Sequence, residues 1–168
     1  MRPFAVPMLL LAGAAASATE PPPRPTCDAP EHRQFDFWLG RFEVRMPDDR
    51  LAGHNRIEAT LGGCALTEHW TGARGSEGRS LNFYDRNDSR WHQVWIDDAG
   101  EPLYLSGGLV DGSMVLAGET PASDGGTLRQ RITWTPLEDG RVRQHWQASK
   151  DGGETWQTLF DGYYARED

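Results

Sequence analysis

The chain has 168 residues, 38% of them hydrophobic, and carries a net charge of −8 at pH 7. This length suits one domain with a core of its own. An acidic surface repels the phosphates of nucleic acids and of anionic membranes, and no cluster of Lys or Arg reverses that charge locally. We therefore expect no nucleic-acid partner and no membrane-binding surface.

The N-terminal segment 1–18 has the layout of a secretory signal peptide. Arg2 is its only charged residue, and an apolar run extends from Phe4 to Ala16. Small residues end the segment, which predicts cleavage after Ala18. The run is shorter than the roughly 20 residues that a membrane-spanning helix needs, so we expect a soluble periplasmic or secreted protein. A buried N-terminal helix is the alternative.

Residues 19–30 contain five prolines and are typical of an extended or disordered spacer. The folded domain is then predicted to cover residues 31–168. Cys27 and Cys64 are the only cysteines. In an exported chain such a pair is more often a disulfide than a catalytic thiol or a metal site, so we predict a disulfide here. Two unpaired buried thiols are the alternative.

The domain is a succession of short segments rich in aromatic and β-branched residues, with turn residues about every ten positions. In the first segment Phe42, Val44 and Met46 alternate with charged residues, which predicts one buried and one solvated face. Ten strands are predicted, at residues 40–46, 54–61, 64–71, 78–85, 90–97, 103–109, 113–119, 127–135, 141–149 and 155–165.

Every link between these strands has the length of a hairpin. Ten strands joined in this way would leave two long edges in an open sheet. We therefore predict an all-β fold, an up-and-down antiparallel barrel of about ten strands, with a short helix between Pro30 and Phe37 that plugs one end.

One turn has a recognisable sequence. The segment 149–156 (SKDGGETW) resembles the Asp-box turn of sialidase propeller blades. In that turn the aspartate accepts backbone hydrogen bonds, the glycine adopts a conformation that other residues resist, and the tryptophan covers the hairpin. The box occurs once here, so we predict a structural role for it.

On several predicted strands, the alternation of side chains places tryptophans and polar residues on the same face. Buried polar groups require partners, so the mixture indicates a ligand cavity with an aromatic lining and a few orienting polar groups. The predicted ligand-binding residues of the barrel interior are Glu68, Trp70, Trp91, Gln93, Trp95, Arg131, Trp134, Gln144 and Trp146. Arg131 shares a face with Trp134 only if a bulge separates them. A filled core with an internal hydrogen-bond network is the alternative.

Local motifs for metal binding and nucleophilic catalysis are absent from the sequence. The five histidines lack zinc-binding spacing, and neither a nucleophile elbow nor a P-loop is present. We therefore predict no catalytic residue and no metal ligand. Two alternatives to a binding protein stay open. One is an enzyme with an acid/base pair such as Glu68 and Asp97, and the other is an envelope interaction module without a small ligand.

Four segments resemble an uncharacterised family of exported bacterial domains, over about residues 27–166. They are 35–40 (FDFWLG), 78–85 (GRSLNFYD), 91–97 (WHQVWID) and 132–136 (ITWTP). The resemblance implies a lipocalin-like barrel of the calycin type, distantly similar to nitrobindin and fatty-acid-binding proteins, and it brings no catalytic residues. Nitrobindin binds haem through a histidine inside its barrel, but the motif around that ligand is not evident here. No cofactor is predicted, and haem ranks as a minor alternative.

The first and last strands also resemble those of lipocalins. Gly40 and Phe42 stand where lipocalins have Gly-x-Trp, and Arg166 stands where a C-terminal arginine covers that ring. The sequence as a whole predicts an exported barrel that binds a small, partly apolar molecule. The sequence does not predict the identity of the ligand or the oligomeric state.

Overall fold

The computed structural model describes residues 26–167. The predicted signal peptide, its cleavage site and most of the proline-rich spacer lie outside these residues. Within the described part of the chain, no helix is long and apolar enough to cross a membrane.

Ten antiparallel strands form a closed barrel, which confirms the predicted fold. The strands are β1 (Gly40–Arg45), β2 (Leu51–Thr60), β3 (Ala65–Gly72), β4 (Glu77–Asp85), β5 (Arg90–Asp97), β6 (Pro102–Val110), β7 (Ser113–Pro121), β8 (Thr127–Pro136), β9 (Val142–Ser149) and β10 (Gln157–Arg166). Each strand pairs with its neighbours in sequence, and β1 closes on β10 from Phe42–Arg166 to Arg45–Tyr163.

The alternation of apolar and polar residues sets the inside of the barrel. On β1, Phe42 and Val44 are buried inside, whereas Arg41 and Glu43 point outward. The same alternation buries Met114 and Leu116 on β7. Because successive side chains of a strand point to opposite faces, the inward-facing residues of all ten strands share one interior.

One end of the barrel is closed by the chain that precedes β1. Two short 3-10 helices, Pro30–Arg33 and Asp36–Trp38, stand where a single short helix was predicted. Phe35 and Trp38 are fully buried and stack with ring centroids 4.8 Å apart. Phe35 also makes T-shaped contacts with Trp91 and Trp134. This segment, called the plug below, therefore fills the half of the barrel at which β1 begins, which is called the lower half.

A disulfide and an arginine fasten the plug. Cys27 is bonded to Cys64, 37 residues away in the turn before β3, and this confirms the predicted bridge. The guanidinium of Arg166 lies 5.0 Å from the centre of the Phe42 ring, which is the contact predicted from the lipocalin pattern. Arg166 also donates to the carbonyl of Leu39 at 2.6 Å. Gly40 has a φ of +142°, which other residues rarely adopt, and a β-carbon there would also press on this guanidinium, so the closure favours glycine.

The turn between β9 and β10 has the hydrogen bonds expected of an Asp box. The carboxylate of Asp151 accepts from the backbone N–H of Thr155 at 2.9 Å and from the hydroxyl of Ser149 at 2.7 Å. The Thr155 hydroxyl also donates to this carboxylate, and it contributes most, ahead of the Thr155 backbone N–H and the Ser149 hydroxyl, to holding the pKa of Asp151 well below its usual range. Trp156 packs on the outer face, where the guanidinium of Arg131 lies 4.1 Å from its ring centre. The turn thus joins two strands and contributes no group to the interior.

Candidate functional site

The end of the barrel opposite the plug contains a cavity that opens to solvent. β5 shows the layout: Trp91, near its start, contacts the plug, and Trp95, four residues further along, lines the cavity. The cavity has a volume of about 130 Å³. The cavity and its lining are together called the cup below. The lining consists of Glu68, Trp70, Gln93, Trp95, Leu103, Ile132, Gln144, Trp146, Phe160 and Tyr164.

Four half-buried aromatic side chains form the wall of the cup: Trp70, Trp95, Trp146 and Phe160. The rings of Trp70 and Phe160 meet edge to face with centroids 6.1 Å apart. The indole N–H of Trp146 donates to Gln130 at 2.7 Å, which fixes the orientation of that ring.

Two glycines make room for these rings. A β-carbon at Gly78 would lie 2.1 Å from the Trp95 ring, and one at Gly162 would lie 2.4 Å from the Phe160 ring. Glycine inside a strand loses more backbone entropy on folding than other residues and leaves no side chain to pack. Here Gly78 lets the Trp95 ring lie on the backbone of the neighbouring strand β4, and Gly162 lets the Phe160 ring lie on the backbone of its own strand β10.

The floor of the cup is centred on the carboxyl group of Glu68, which is only 4% exposed. One carboxyl oxygen accepts from the amide of Asn55 at 2.7 Å, and the other accepts from the hydroxyl of Ser80 at 2.6 Å. Ser80 on β4 is directly across from Glu68, and Asn55 on β2 is two residues from Ile57, the residue across from Glu68 on that strand. The two hydrogen bonds hold the carboxyl group in one orientation.

The network extends from Glu68 in both directions around the barrel. On one side Gln93 donates to Asn82 at 2.8 Å, and Asn82 donates to Ser80 at 2.8 Å. On the other side Asn55 donates to the hydroxyl of Tyr164 at 3.4 Å, and this hydroxyl donates to the side-chain oxygen of Gln144. Side chains from six strands therefore form one connected polar layer below the aromatic wall.

Burial changes the protonation of this layer. Desolvation raises the pKa of Glu68 from 4.5 to about 7, against the opposing effect of the hydrogen bonds from Ser80 and Asn55. Desolvation, assisted by the nearby Glu68, raises the pKa of Tyr164 well above 10, so the phenol stays neutral. Near neutral pH the cup thus holds a carboxyl group that can either donate or accept a proton.

No positively charged side chain lines the cup, as far as the described residues go. The ionisable groups of the lining are Glu68 and Tyr164. A buried carboxylate is ordinarily paired with a cation or held by several donors. Glu68 has donors and no protein counter-ion, so its charge inside the cup is uncompensated.

The predicted site residues fall into three groups. Six of them meet in the cup: Glu68, Trp70, Gln93, Trp95, Gln144 and Trp146. Trp91 and Trp134 are inside the barrel but belong to the plugged half, where both contact Phe35.

Arg131 lies on the outer face, so the interior position considered for it is wrong. β8 pairs with β7 and β9 without a bulge, and the strict alternation that buries Ile132 and Trp134 turns Arg131 outward. There the guanidinium donates to Gln147 at 2.8 Å.

The acid/base pair considered for an enzyme is not assembled. Asp97 stands at the end of β5 and accepts the backbone N–H groups of Ala99 and Glu101, both at 3.0 Å. These bonds engage its carboxylate in the turn after the strand, and Asp97 is not part of the cup lining. Glu68 is thus the carboxyl group of the cup, without a second one facing it.

Several residues of the site were not predicted: Asn55, Ser80, Asn82, Phe160 and Tyr164. Alternation alone puts Asn55 on the same face as Ile57, and Ser80 and Asn82 on the same face as each other, so the pattern contains the necessary signal. The interior residues were predicted from polar side chains that alternate with tryptophans, and β2, β4 and β10 contain no tryptophan.

The structure offers little to a metal ion or to haem. Asp85, Asp88 and His92 have ligand atoms within 4.8 Å of one another, but they lie at the surface around a turn, where Asp85 caps the backbone N–H of Asn87. No histidine is among the residues of the cup. His32 is buried in the plug and accepts from Arg86. The cup therefore offers no histidine to haem iron.

No protein-family model matches the chain, and no curated protein matches it. The functional assignment therefore rests on the geometry and chemistry of the cup.

Proposed function

We propose that the protein is an exported barrel that binds a small, partly apolar molecule in the cup. The observation that carries this proposal is an open cavity of about 130 Å³ whose wall is aromatic and whose floor is a hydrogen-bonded layer around a buried carboxyl group. Apolar surface with a few well-placed polar groups is the usual composition of a ligand site.

The volume indicates the size of the ligand. An engineered apolar cavity of about 150 Å³ takes one benzene molecule. A cavity of about 130 Å³ thus accommodates a group of about six heavy atoms, with any longer substituent leaving through the open end. This excludes long acyl chains lying fully inside the barrel, because the plug occupies the other half.

Export is supported by two independent features. The N-terminal segment has the layout of a signal peptide, and the Cys27–Cys64 disulfide fits an oxidising compartment. Membership of the exported lipocalin-like family whose motifs the chain resembles is part of the same proposal. The contact of Arg166 with the Phe42 ring is compatible with it.

The proposal is tested by titrating the oxidised protein with a panel of ring-sized molecules, neutral, cationic and anionic, while tryptophan emission is recorded. A ligand of the cup should shift the emission, and Trp95→Ala should weaken its binding about tenfold or more, because a buried aromatic contact is lost. Trp156→Ala is the matched control, since it removes an indole from the outer face. If no member of the panel shifts the emission, or if both variants weaken binding equally, the proposal fails.

A further inference from the structure

We infer that the ligand of the cup is a small organic cation, an alkylated ammonium group held between the faces of the tryptophan rings and the carboxylate of Glu68. This inference rests on the binding function proposed above and specifies its ligand class. It follows from the charge, the wall and the size of the cup.

Charge is the first consideration. The carboxyl group of Glu68 is buried at the floor, no Arg, Lys or His lines the cup within the described residues, and the rest of the lining is neutral. A buried carboxylate is stabilised further by a partner of opposite sign, beyond what hydrogen-bond donors supply. The open end gives a ligand access to this carboxylate, so a cationic ligand would supply the counter-charge that the protein lacks.

The same arrangement disfavours an anion. An anionic ligand would enter a low-dielectric site beside a carboxyl group, with no cation to offset the repulsion. The chain as a whole carries a net charge of −8, which attracts cations towards the cup and repels anions. The ligand is therefore either neutral or positively charged, and the aromatic composition of the wall favours one of these two classes.

The wall consists of the side chains that bind organic cations best. Trp70, Trp95 and Trp146 surround the cup together with Phe160. The face of an aromatic ring carries negative electrostatic potential, tryptophan most strongly, and cages of such rings recognise quaternary ammonium groups. A hydrophobic molecule without charge could be bound equally well by aliphatic side chains, which supply only Leu103 and Ile132 to the cup.

Size agrees with this class. A tetra-alkylated ammonium head with methyl substituents contains five heavy atoms, within the about six that a cavity of about 130 Å³ accommodates. Such a head has no N–H group, so its attraction to Glu68 is electrostatic and does not require it to displace Asn55 or Ser80 from the carboxyl oxygens.

The groups packed around Glu68 predict how binding depends on pH. Asn55 on β2, Ser80 on β4, Gln93 on β5 and Gln144 on β9 do not titrate. Tyr164 on β10 stays neutral because burial raises its pKa. Glu68, with a pKa of about 7, is then the group that ionises in the cup between pH 6 and pH 8. A ligand that requires the carboxylate should bind about tenfold more tightly at pH 8 than at pH 6.

The test compares choline with 3,3-dimethyl-1-butanol, its uncharged isostere, by calorimetric titration of the disulfide-bonded protein at pH 6 and pH 8. We expect the wild type to bind choline at least tenfold more tightly than the isostere at pH 8, and to lose about tenfold of the choline affinity at pH 6. Glu68→Gln should lose both the preference and the pH dependence. Glu58→Gln, which neutralises an exposed glutamate paired with Arg56, should retain both.

Trp95→Leu provides a second variant that does not depend on the fold tolerating a change at Glu68. It keeps apolar surface and removes one aromatic face, so it should weaken choline more than the isostere. Equal affinity for the two ligands, binding of the isostere alone, or the same pH dependence in Glu68→Gln overturns the inference while the binding function stands. If neither ligand nor any member of the wider panel binds, the inference and the proposed function both fail.

Discussion

Glu68 is the one carboxylic side chain that the fold buries among the described residues. Its burial raises its pKa to about 7 because removal from water disfavours the charged form more than two hydrogen bonds favour it. The side-chain oxygen of Asn55 is buried without a partner in the same layer. If the Asn55 amide turns over, that oxygen can accept from a protonated Glu68, so the layer can accommodate both protonation states.

This burial predicts a measurable dependence of stability on pH. Since the folded pKa is raised from 4.5 to about 7, the stability associated with protonated Glu68 is fully present below pH 4.5 and is lost as the pH rises towards 7. Glu68→Gln keeps an uncharged side chain of the same shape. When the pH is raised from 5 to 8, the free energy of unfolding of Glu68→Gln should increase relative to that of the wild type by about 2 to 3 kcal/mol.

Urea denaturation of both proteins at the two pH values measures this difference. Glu58→Gln is the control, because the exposed Glu58 should give curves parallel to those of the wild type. A constant difference between Glu68→Gln and the wild type across the two pH values would show that the carboxyl group titrates as it does in water.

Individual site residues were predictable where a short stretch of strand determines their direction. Glu68 and Trp70, Gln93 and Trp95, and Gln144 and Trp146 share a face by alternation, and the structure brings all six together. Their partners could not be predicted in the same way. Asn55 and Tyr164 are 109 residues apart and meet only because the barrel closes. The direction of Arg131 depended on whether β8 contains a bulge, and it has none.

At the scale of elements, the plug and the cup divide the barrel between them. Phe35 and Trp38 fill the lower half with packed rings, whereas the upper half keeps its cavity. Both interiors considered from the sequence, a filled core and a hollow one, are therefore present in one barrel. The disulfide belongs to the plugged half, since it ties the chain before the plug to the turn before β3.

This division predicts that stability and binding respond separately to loss of the disulfide. Cys27→Ser combined with Cys64→Ser removes a bridge between residues 37 apart in sequence, and the free energy of unfolding should fall by about 4 kcal/mol. Because the cup lies at the other end, its affinity for a ligand should change less than twofold at a temperature where the variant is folded.

Chemical denaturation and ligand titration of the same preparation check both parts. A large loss of affinity in a folded double variant would mean that the plug and the cup are coupled, contrary to the division described here.

For the whole molecule, the sequence was sufficient for the architecture. Ten alternating segments with hairpin-length links have few arrangements other than a barrel, and the observed strand bounds lie within three residues of the predicted ones. The sequence left a ligand cavity and a filled core both open, because the outcome depends on where large rings settle after the strands pair. Trp95 lies over Gly78 and Phe160 over Gly162, and both contacts keep these rings close to the strands, outside the cavity.

The most direct test of the central claim, that the cup is the ligand site, follows the seven indole N–H resonances of the protein by NMR during titration with a ligand from the panel. The signals of Trp70, Trp95 and Trp146 should shift with one common affinity. Those of Trp38, Trp91 and Trp134 in the plugged half and of Trp156 on the outer face should stay in place. Shifts confined to Trp156, or spread evenly over all seven signals, would contradict the claim.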